Sequence, residues 1–256
     1  MRDDPIQGRI ALSFERMNRL GGIRHVFSTR DKHGKGNVSL SGNRDQPLAL
    51  AERAFWSTAI GVDGSSLVVG GQVHGNACRW VGMEEKGRGA VSPDDVLAQT
   101  DALLTKEPQL PLYSAVADCA AVLFFTPGVE PMLGLAHAGW RGLHAGILTK
   151  VCAELSSADA DLAQVYAGVS PCIGLHSFGV GEEVADLAPA NRRVKLDGQW
   201  HVDLAGWAHH QLAEAGLHPS HIETAGLDTA DRADLFFSHR RDGEETGRMA
   251  LFATLG

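Results

Sequence analysis

Between residues 101 and 137 the chain carries four short apolar runs, "DALLT", "LYSAVAD", "AVLFFT" and "MLGLAH", parted by proline and glycine. Runs this short and this continuously apolar read as strands buried on both faces, which need cover on two sides. The surrounding sequence supplies it. Asp45 is placed to cap a helix with Pro47 in its first turn, running through "LALAERAFWSTAI" to Gly61, with Leu48, Ala51, Phe55 and Ala59 along one face. A second helix follows "GWRG", with Leu143, Ile147, Val151 and Leu155 in i, i+4 steps. A third covers "GEEVADLA", and a fourth starts at Asp203 and carries Leu204, Trp207, Gln211 and Ala215. "SLVV", "QVYAGVS", "QWHVDL", "DLFFSH" and "RMALFATL" read as further strands. Strands and helices alternate imperfectly, which predicts an α/β (α+β) protein of mixed β-sheets flanked by helices rather than a clean doubly wound fold. No linker, charge block or repeat divides residues 1–256, so a single domain is expected.

The formal net charge of −8 leaves no basic footprint for nucleic acid or for an anionic membrane, although a locally cationic pocket for a small anion stays open. No run approaches the roughly 20 apolar residues that cross a bilayer. The start, "MRDDPIQGRIALSF", lacks the apolar core of a secretory leader, so a cytoplasmic protein is expected. Cys78, Cys119, Cys152 and Cys172 are widely spread and form no C-x-x-C, and in that compartment they read as reduced thiols.

Three apolar runs end, or pause, at a residue of metal-ligand type: His74 in "GQVHG", Cys119 in "VADCA" and His137 in "LAHAGWRG". Gly75 and Gly139 follow two of them closely and leave room for a substrate or a near backbone. Two imidazoles and one thiolate suit zinc with an open fourth position, the pattern of a catalytic site. The intervals of 45 and 18 residues match no short metal motif, and each residue taken alone is as well explained as a buried or solvated side chain.

"GQVHG", "TDALLT", "AVADC", "GLAHAGWRG", "SPCIG" and "FFSHRRDGEETGRMA" occur in this order across most of the chain. Together they resemble the laccase-domain family, also called multicopper polyphenol oxidoreductase-like or YfiH/YlmD-like, from about Phe27 to Thr254. The resemblance implies a YfiH-like layered sandwich. It also implies a zinc-dependent purine nucleoside phosphorylase acting on adenosine, inosine or methylthioadenosine, with adenosine deaminase activity. The family's metal ligands fall on His74, Cys119 and His137. "KGNVSL" looks like the family's N-terminal element and places Asn37 near the substrate. The sequence departs from the family at Ala120–Ala121, Ser170, Asp228 and Ala51–Arg53, none of them a ligand, which leaves substrate preference open.

On that reading zinc lowers the pKa of water towards about 7, giving hydroxide for attack at C6 of adenosine. Zinc nucleobase deaminases pair such a site with a glutamate, and none adjoins these ligands, so Asp118 is the nearest acid–base candidate. Phosphorolysis needs cations for phosphate, and Arg141, Arg240, Arg241 and Arg248 are candidates. Trp140 could stack on a base or simply pack in the core. Three other readings remain. One is a copper oxidoreductase with Met132 as weak axial ligand, against which stands the absence of any H-x-H pair for a trinuclear cluster. Another is a metal-independent Cys–His hydrolase of a peptide or cell-wall precursor, with Cys119 as nucleophile. The last is an interaction protein with a structural zinc. Oligomeric state is not set by the sequence.

Overall fold

The computed structural model describes every residue except Gln7, Lys32 and Asn43. In chain order the strands are β1 (Arg2–Ile6), β2 (Arg9–Ser13), β3 (Ile23–Phe27), β4 (Val68–Val69), β5 (Cys78–Trp80), β6 (Ala102–Thr105), β7 (Leu112–Val116), β8 (Ala120–Thr126), β9 (Met132–Ala138), β10 (Tyr166–Val169), β11 (Gly179–Val180), β12 (Arg193–Leu196), β13 (Gln199–Val202), β14 (Ile222–Thr224) and β15 (Met249–Leu255). The α-helices are α1 (Glu15–Leu20), α2 (Gln46–Ala59), α3 (Trp140–His144), α4 (Ile147–Ser157), α5 (Glu182–Ala185), α6 (Leu204–Glu214) and α7 (His239–Asp242). One six-stranded sheet runs β1-β2-β3-β15-β7-β4, a second runs β14-β10-β8-β9-β6-β5, and β11-β13-β12 form a small third sheet. Both large sheets are mixed: β4 pairs with β7, β5 with β6 and β10 with β14 in parallel, and their other pairs are antiparallel.

The four apolar runs became β6 to β9, as their pattern requires. In β8 the side chains alternate between two cores. Leu123 and Phe125 meet Phe27, Leu112 and Leu251 of the first sheet, while Val122 and Phe124 meet Val151 of α4 and Trp207 of α6. An unbroken apolar sequence is therefore a period-2 strand with both faces dry. Each large side chain buried this way contributes about 1.5–3 kcal/mol. A third core packs Trp56 and Ile60 under the first sheet against Val26, Tyr113 and Phe252. The layers run helix, sheet, sheet, helix, a mixed α/β architecture.

Three local expectations are corrected. Asp45 does cap α2, accepting from the Leu48 N–H at 3.0 Å, but the buried stripe is Ala49, Arg53 and Trp56, while Leu48 is 59% exposed. The stripe is displaced by one residue, about 100° of helix rotation. A buried arginine hides the pattern: its Nε donates to the Val38 carbonyl (2.8 Å) and its Nη1 to those of Gly89 (2.8 Å) and Ala90 (2.7 Å). The helix after "GWRG" is two helices, α3 and α4, parted where Gly146 takes φ 77°, although Leu143, Ile147, Val151 and Leu155 all reach one core. "DLFFSH" is not a strand. Its backbone folds back on itself, with the Leu235 and Phe236 N–H groups donating to the Arg232 carbonyl, and Phe236 and Phe237 plug the core between the large sheets. Among the described residues, no helix is long and apolar enough to cross a membrane.

Candidate metal centre

The chain passes from the first large sheet to the second between β7 and β8, and only Ala117, Asp118 and Cys119 make the crossing. Asp118 takes φ 85°, an uncommon conformation for a side-chain-bearing residue. Its carboxylate holds the turn in place. Oδ1 accepts from Thr229 Oγ1 at 2.6 Å, and Oδ2 accepts from Ser238 Oγ at 3.0 Å and from the Arg240 N–H at 2.7 Å. Cys119 is thereby fixed at the entry to β8. Strand register does the rest. β8 sets Ala120 against Ala138 and Ala121 against His137, and β6 sets Ala102 against Ala136.

That register brings Asp101, just before β6, beside His137. The His137 N–H donates to the Asp101 carbonyl at 2.7 Å, and His137 Nδ1 lies 2.9 Å from Asp101 Oδ1. The Asp101 carboxylate also accepts from the N–H groups of Val73 (3.2 Å), His74 (2.9 Å) and Gly75 (2.9 Å). It thus ties the His74 loop to the second sheet. Gln72 ties the same loop to the first, accepting from the Ala115 N–H (3.0 Å) and donating to its carbonyl (2.8 Å). His74 does not end a strand; it sits in this loop with φ 61°. The outcome is one cluster: a ligand atom from each of His74, Cys119 and His137 lies within 4.8 Å of the others, and the imidazole centroids are 4.8 Å apart.

Burial acts to raise the Cys119 thiol, but the charged His137 ring, with hydrogen bonds from His137 and His74, brings it down to about 6. Burial acts to lower His137, but the Cys119 charge and the hydrogen bond to Asp101 lift it to about 9. Asp101 is burdened by burial too, yet its bonds to His137 and to the Gly75 and Val73 N–H groups hold it below the ordinary carboxylate range. The other thiols go the opposite way. Burial pushes Cys78 and Cys152 up to about 12 and raises Cys172 as well. After treatment with a chelator, iodoacetamide at pH 7 is expected to label Cys119 alone, since the thiolate is the nucleophile. Labelling should rise with pH through about 6 and be suppressed by added zinc. Peptide mass mapping across pH checks this, and a midpoint near the free-thiol value of about 8.5 would contradict it.

The donor set fits a metal ion. The thiol loses its proton near neutral pH. An ionised Asp101 can only accept, so it keeps the proton on His137 Nδ1 and leaves Nε2 to ligate, the usual carboxylate–histidine support of a metal ligand. Space is reserved as well: a Cβ on Gly139 would lie 2.7 Å from Cys119 Sγ and 3.3 Å from the His74 ring.

The cluster opens on a cleft of about 870 Å³ lined by Arg53, Arg141, Arg240 and Arg248, with Trp140, Ile173, Phe178 and Leu204 supplying apolar wall. Among the described residues lining it, Asp118 is the only carboxylate. Arg141 is exposed and stacks on Trp140, its guanidinium carbon 4.2 Å from the ring centre; Arg240 stands over Phe178 at 5.4 Å. Arg241 faces away, donating to the carbonyls of Thr229, Ala230 and Phe236 and pairing with Asp242. Asn37 is not among the lining residues. Its amide donates to the Ser39 carbonyl and accepts from the N–H groups of Ser39 and Arg248. Met132 opens β9 at the end far from His137, five residues or roughly 17 Å away, so it cannot be an axial ligand to this cluster. Asp101 escaped the sequence reading. Its signal was present in "TDALLT", an acid opening an apolar strand, which is the same anomaly that marks Asp118 in "AVADC".

Residues 18–256 match the family model described as multi-copper polyphenol oxidoreductase laccase, and the chain belongs to that family. Among curated relatives, it is 31% identical over 214 residues to purine nucleoside phosphorylase YlmD of Bacillus subtilis, covering 79% of this chain and 76% of the relative. It is 30% identical over 239 residues to a purine nucleoside phosphorylase of Deinococcus radiodurans, covering 89% and 87%. Two solved structures share the fold. The Bacillus licheniformis hypothetical protein YfiH superposes with a TM-score of 0.89 at 27% identity over 96% of both chains. YlmD from Geobacillus stearothermophilus superposes with a TM-score of 0.87 at 27% identity over 93% of this chain and 94% of that one.

Proposed function

We propose that this chain is a zinc-dependent purine nucleoside phosphorylase acting on adenosine, inosine and methylthioadenosine, with adenosine deamination as a second activity. The observation that carries the reading is a His–Cys–His cluster with a low-pKa thiol opening into an arginine-lined cleft, in a chain whose relatives are named purine nucleoside phosphorylases. His74, Cys119 and His137 would hold the ion. Zinc bound there supplies Lewis-acid chemistry and lowers the pKa of water.

The chain's own groups divide the remaining work. Trp140, Ile173 and Phe178 offer an apolar wall for a purine ring, with Arg141 and Arg240 stacked at its rim. The cations concentrate positive potential in a cleft of an otherwise acidic chain, which suits phosphate. Asp118 positions the Cys119 turn and α7, since both of its oxygens already accept structural hydrogen bonds. Asn37 acts indirectly, by holding the Arg248 backbone. In phosphorolysis a phosphate oxygen bonds to C1′ of the ribose, the C1′–N9 bond breaks, and its electron pair leaves with the base, which takes up a proton. The products are ribose 1-phosphate and free base.

A second reading has an observation of its own. Cys119, His137 and Asp101 form a thiolate, imidazolium and carboxylate in series, the arrangement of a cysteine hydrolase. His74 beside both is what favours a metal instead. Incubating the protein with adenosine or inosine and inorganic phosphate separates the two. Adenine or hypoxanthine with ribose 1-phosphate, and inosine from adenosine, are the expected products. Full activity after chelation, on a peptide or cell-wall amide, would overturn the nucleoside reading.

A further inference from the structure

The cations lining the cleft are of two kinds. Arg141 and Arg240 are exposed rim residues stacked on aromatic rings. Arg53 and Arg248 are built into the wall. Arg53 is only 4% exposed, is pinned by three backbone carbonyls, and lies over Tyr113 with its guanidinium carbon 4.5 Å from the ring centre. Arg248 is half-buried, with Nη1 donating to the carbonyls of Thr246 (2.7 Å) and Gly247 (3.0 Å).

One residue joins them. The Val38 N–H donates to the Arg248 carbonyl at 3.1 Å, and the Val38 carbonyl accepts from both Arg53 Nε and Tyr113 Oη, each at 2.8 Å. Asn37, next in the chain, accepts from the Arg248 N–H at 2.9 Å. The segment 37–39 therefore holds the Arg53 guanidinium and the Arg248 backbone at one stretch of cleft wall, which Ser39 and Ser41 also line. Among the described residues, neither arginine has a carboxylate within ion-pair distance, whereas Arg9, Arg88, Arg193, Arg232 and Arg241 each pair with one. Burial, together with the nearby charge of Arg44, holds Arg248 below its ordinary pKa, the direction expected of a desolvated cation lacking a close counter-ion. The charges of Cys119 and Asp118 are felt at Arg248 as well, which ties this wall to the metal cluster. One buried and one half-buried cation fixed by neutral acceptors are costly unless an anion completes them, and the guanidinium fork matches phosphate oxygens.

We propose that Arg53 and Arg248, clamped on either side of Val38, form the subsite that binds the phosphate co-substrate, while Arg141 and Arg240 serve the nucleoside at the rim. The assignment rests on the phosphorylase reading above. Phosphate held by this wall lies in the same cleft as the His–Cys–His cluster, and the two arginines carry its charge as the new C1′–O bond forms and the base departs.

The test uses the metal-loaded full chain, with inorganic phosphate as probe at constant ionic strength. Arg248→Gln is expected to raise the KM for phosphate about tenfold or more while the KM for inosine stays within about twofold. Arg248→Lys, which keeps the charge and loses the fork, should fall between. An equal rise in both KM values would overturn the assignment. A readout on the unmutated protein guards against misfolding of the variants: inorganic phosphate should protect Arg248 from phenylglyoxal, measured by peptide mass. This readout also separates the two claims. If no nucleoside is turned over but phosphate still protects Arg248, the anion subsite stands and the phosphorylase reading falls. If turnover occurs without protection and without a selective change in phosphate KM, the subsite falls alone.

Discussion

Cys119→Ala is expected to yield a folded protein that purifies without stoichiometric metal and releases no free base from inosine and phosphate. The substitution removes only a sulfur from the edge of the core between the sheets, so the loss of stability should stay near about 1 kcal/mol. Asp118 and the β8–β9 register, which set the local fold, are untouched. The site itself loses its one anionic ligand. Removing a partner that merely supports a ligand costs about 10–100-fold in metal affinity, and losing the ligand must exceed that. Under the cysteine-hydrolase reading the same variant would also lose activity, but metal content would not follow the thiol. Metal analysis beside activity therefore separates the two, and an active, metal-bearing Cys119→Ala protein would contradict both.

Asp101→Asn is the second large effect, and it leaves all three candidate ligands in place. The carboxylate serves four donors, the N–H groups of Val73, His74 and Gly75 and Nδ1 of His137. An amide of the same shape offers one acceptor oxygen and a competing NH2 group. Whichever way it turns, an N–H of the amide meets an N–H of the site, and a buried donor left without an acceptor costs about 1–3 kcal/mol. His137 also loses the charge that fixes its proton on Nδ1. Zinc affinity, measured by competition with a chromophoric chelator, should fall about 10–100-fold, with a lower denaturation midpoint. Unchanged affinity would mean that the loop and His137 are held by something other than this carboxylate.

Much of this could be read from residues alone. The runs forming β6 to β9 carry their own evidence, because a strand buried on both faces must be apolar throughout. The i, i+4 pattern of Leu143, Ile147, Val151 and Leu155 survived even the break at Gly146, since both helices turn the same face to the same core. The three candidate ligands were legible as a set only through the family resemblance, for intervals of 45 and 18 residues have no local geometry until register brings the strand ends together. What stayed hidden was polar and buried. Nothing in the sequence around Arg53 marks it as buried, because the carbonyls that satisfy it come from residues 38, 89 and 90, remote in sequence. Asp101 drew no notice because its four donors lie 26 to 28 and 36 positions away. The strand expected in "DLFFSH" failed for a related reason: apolar content shows that a segment is buried, not that its backbone finds a neighbouring strand.

The most direct test is the metal itself. Zinc content and zinc-edge X-ray absorption should be measured on protein purified without added metal. The expected result is one zinc per chain, with two imidazole nitrogens and one sulfur in its first shell. A first shell without sulfur, or a protein fully active on nucleosides with no metal bound, would contradict the shared site of His74, Cys119 and His137.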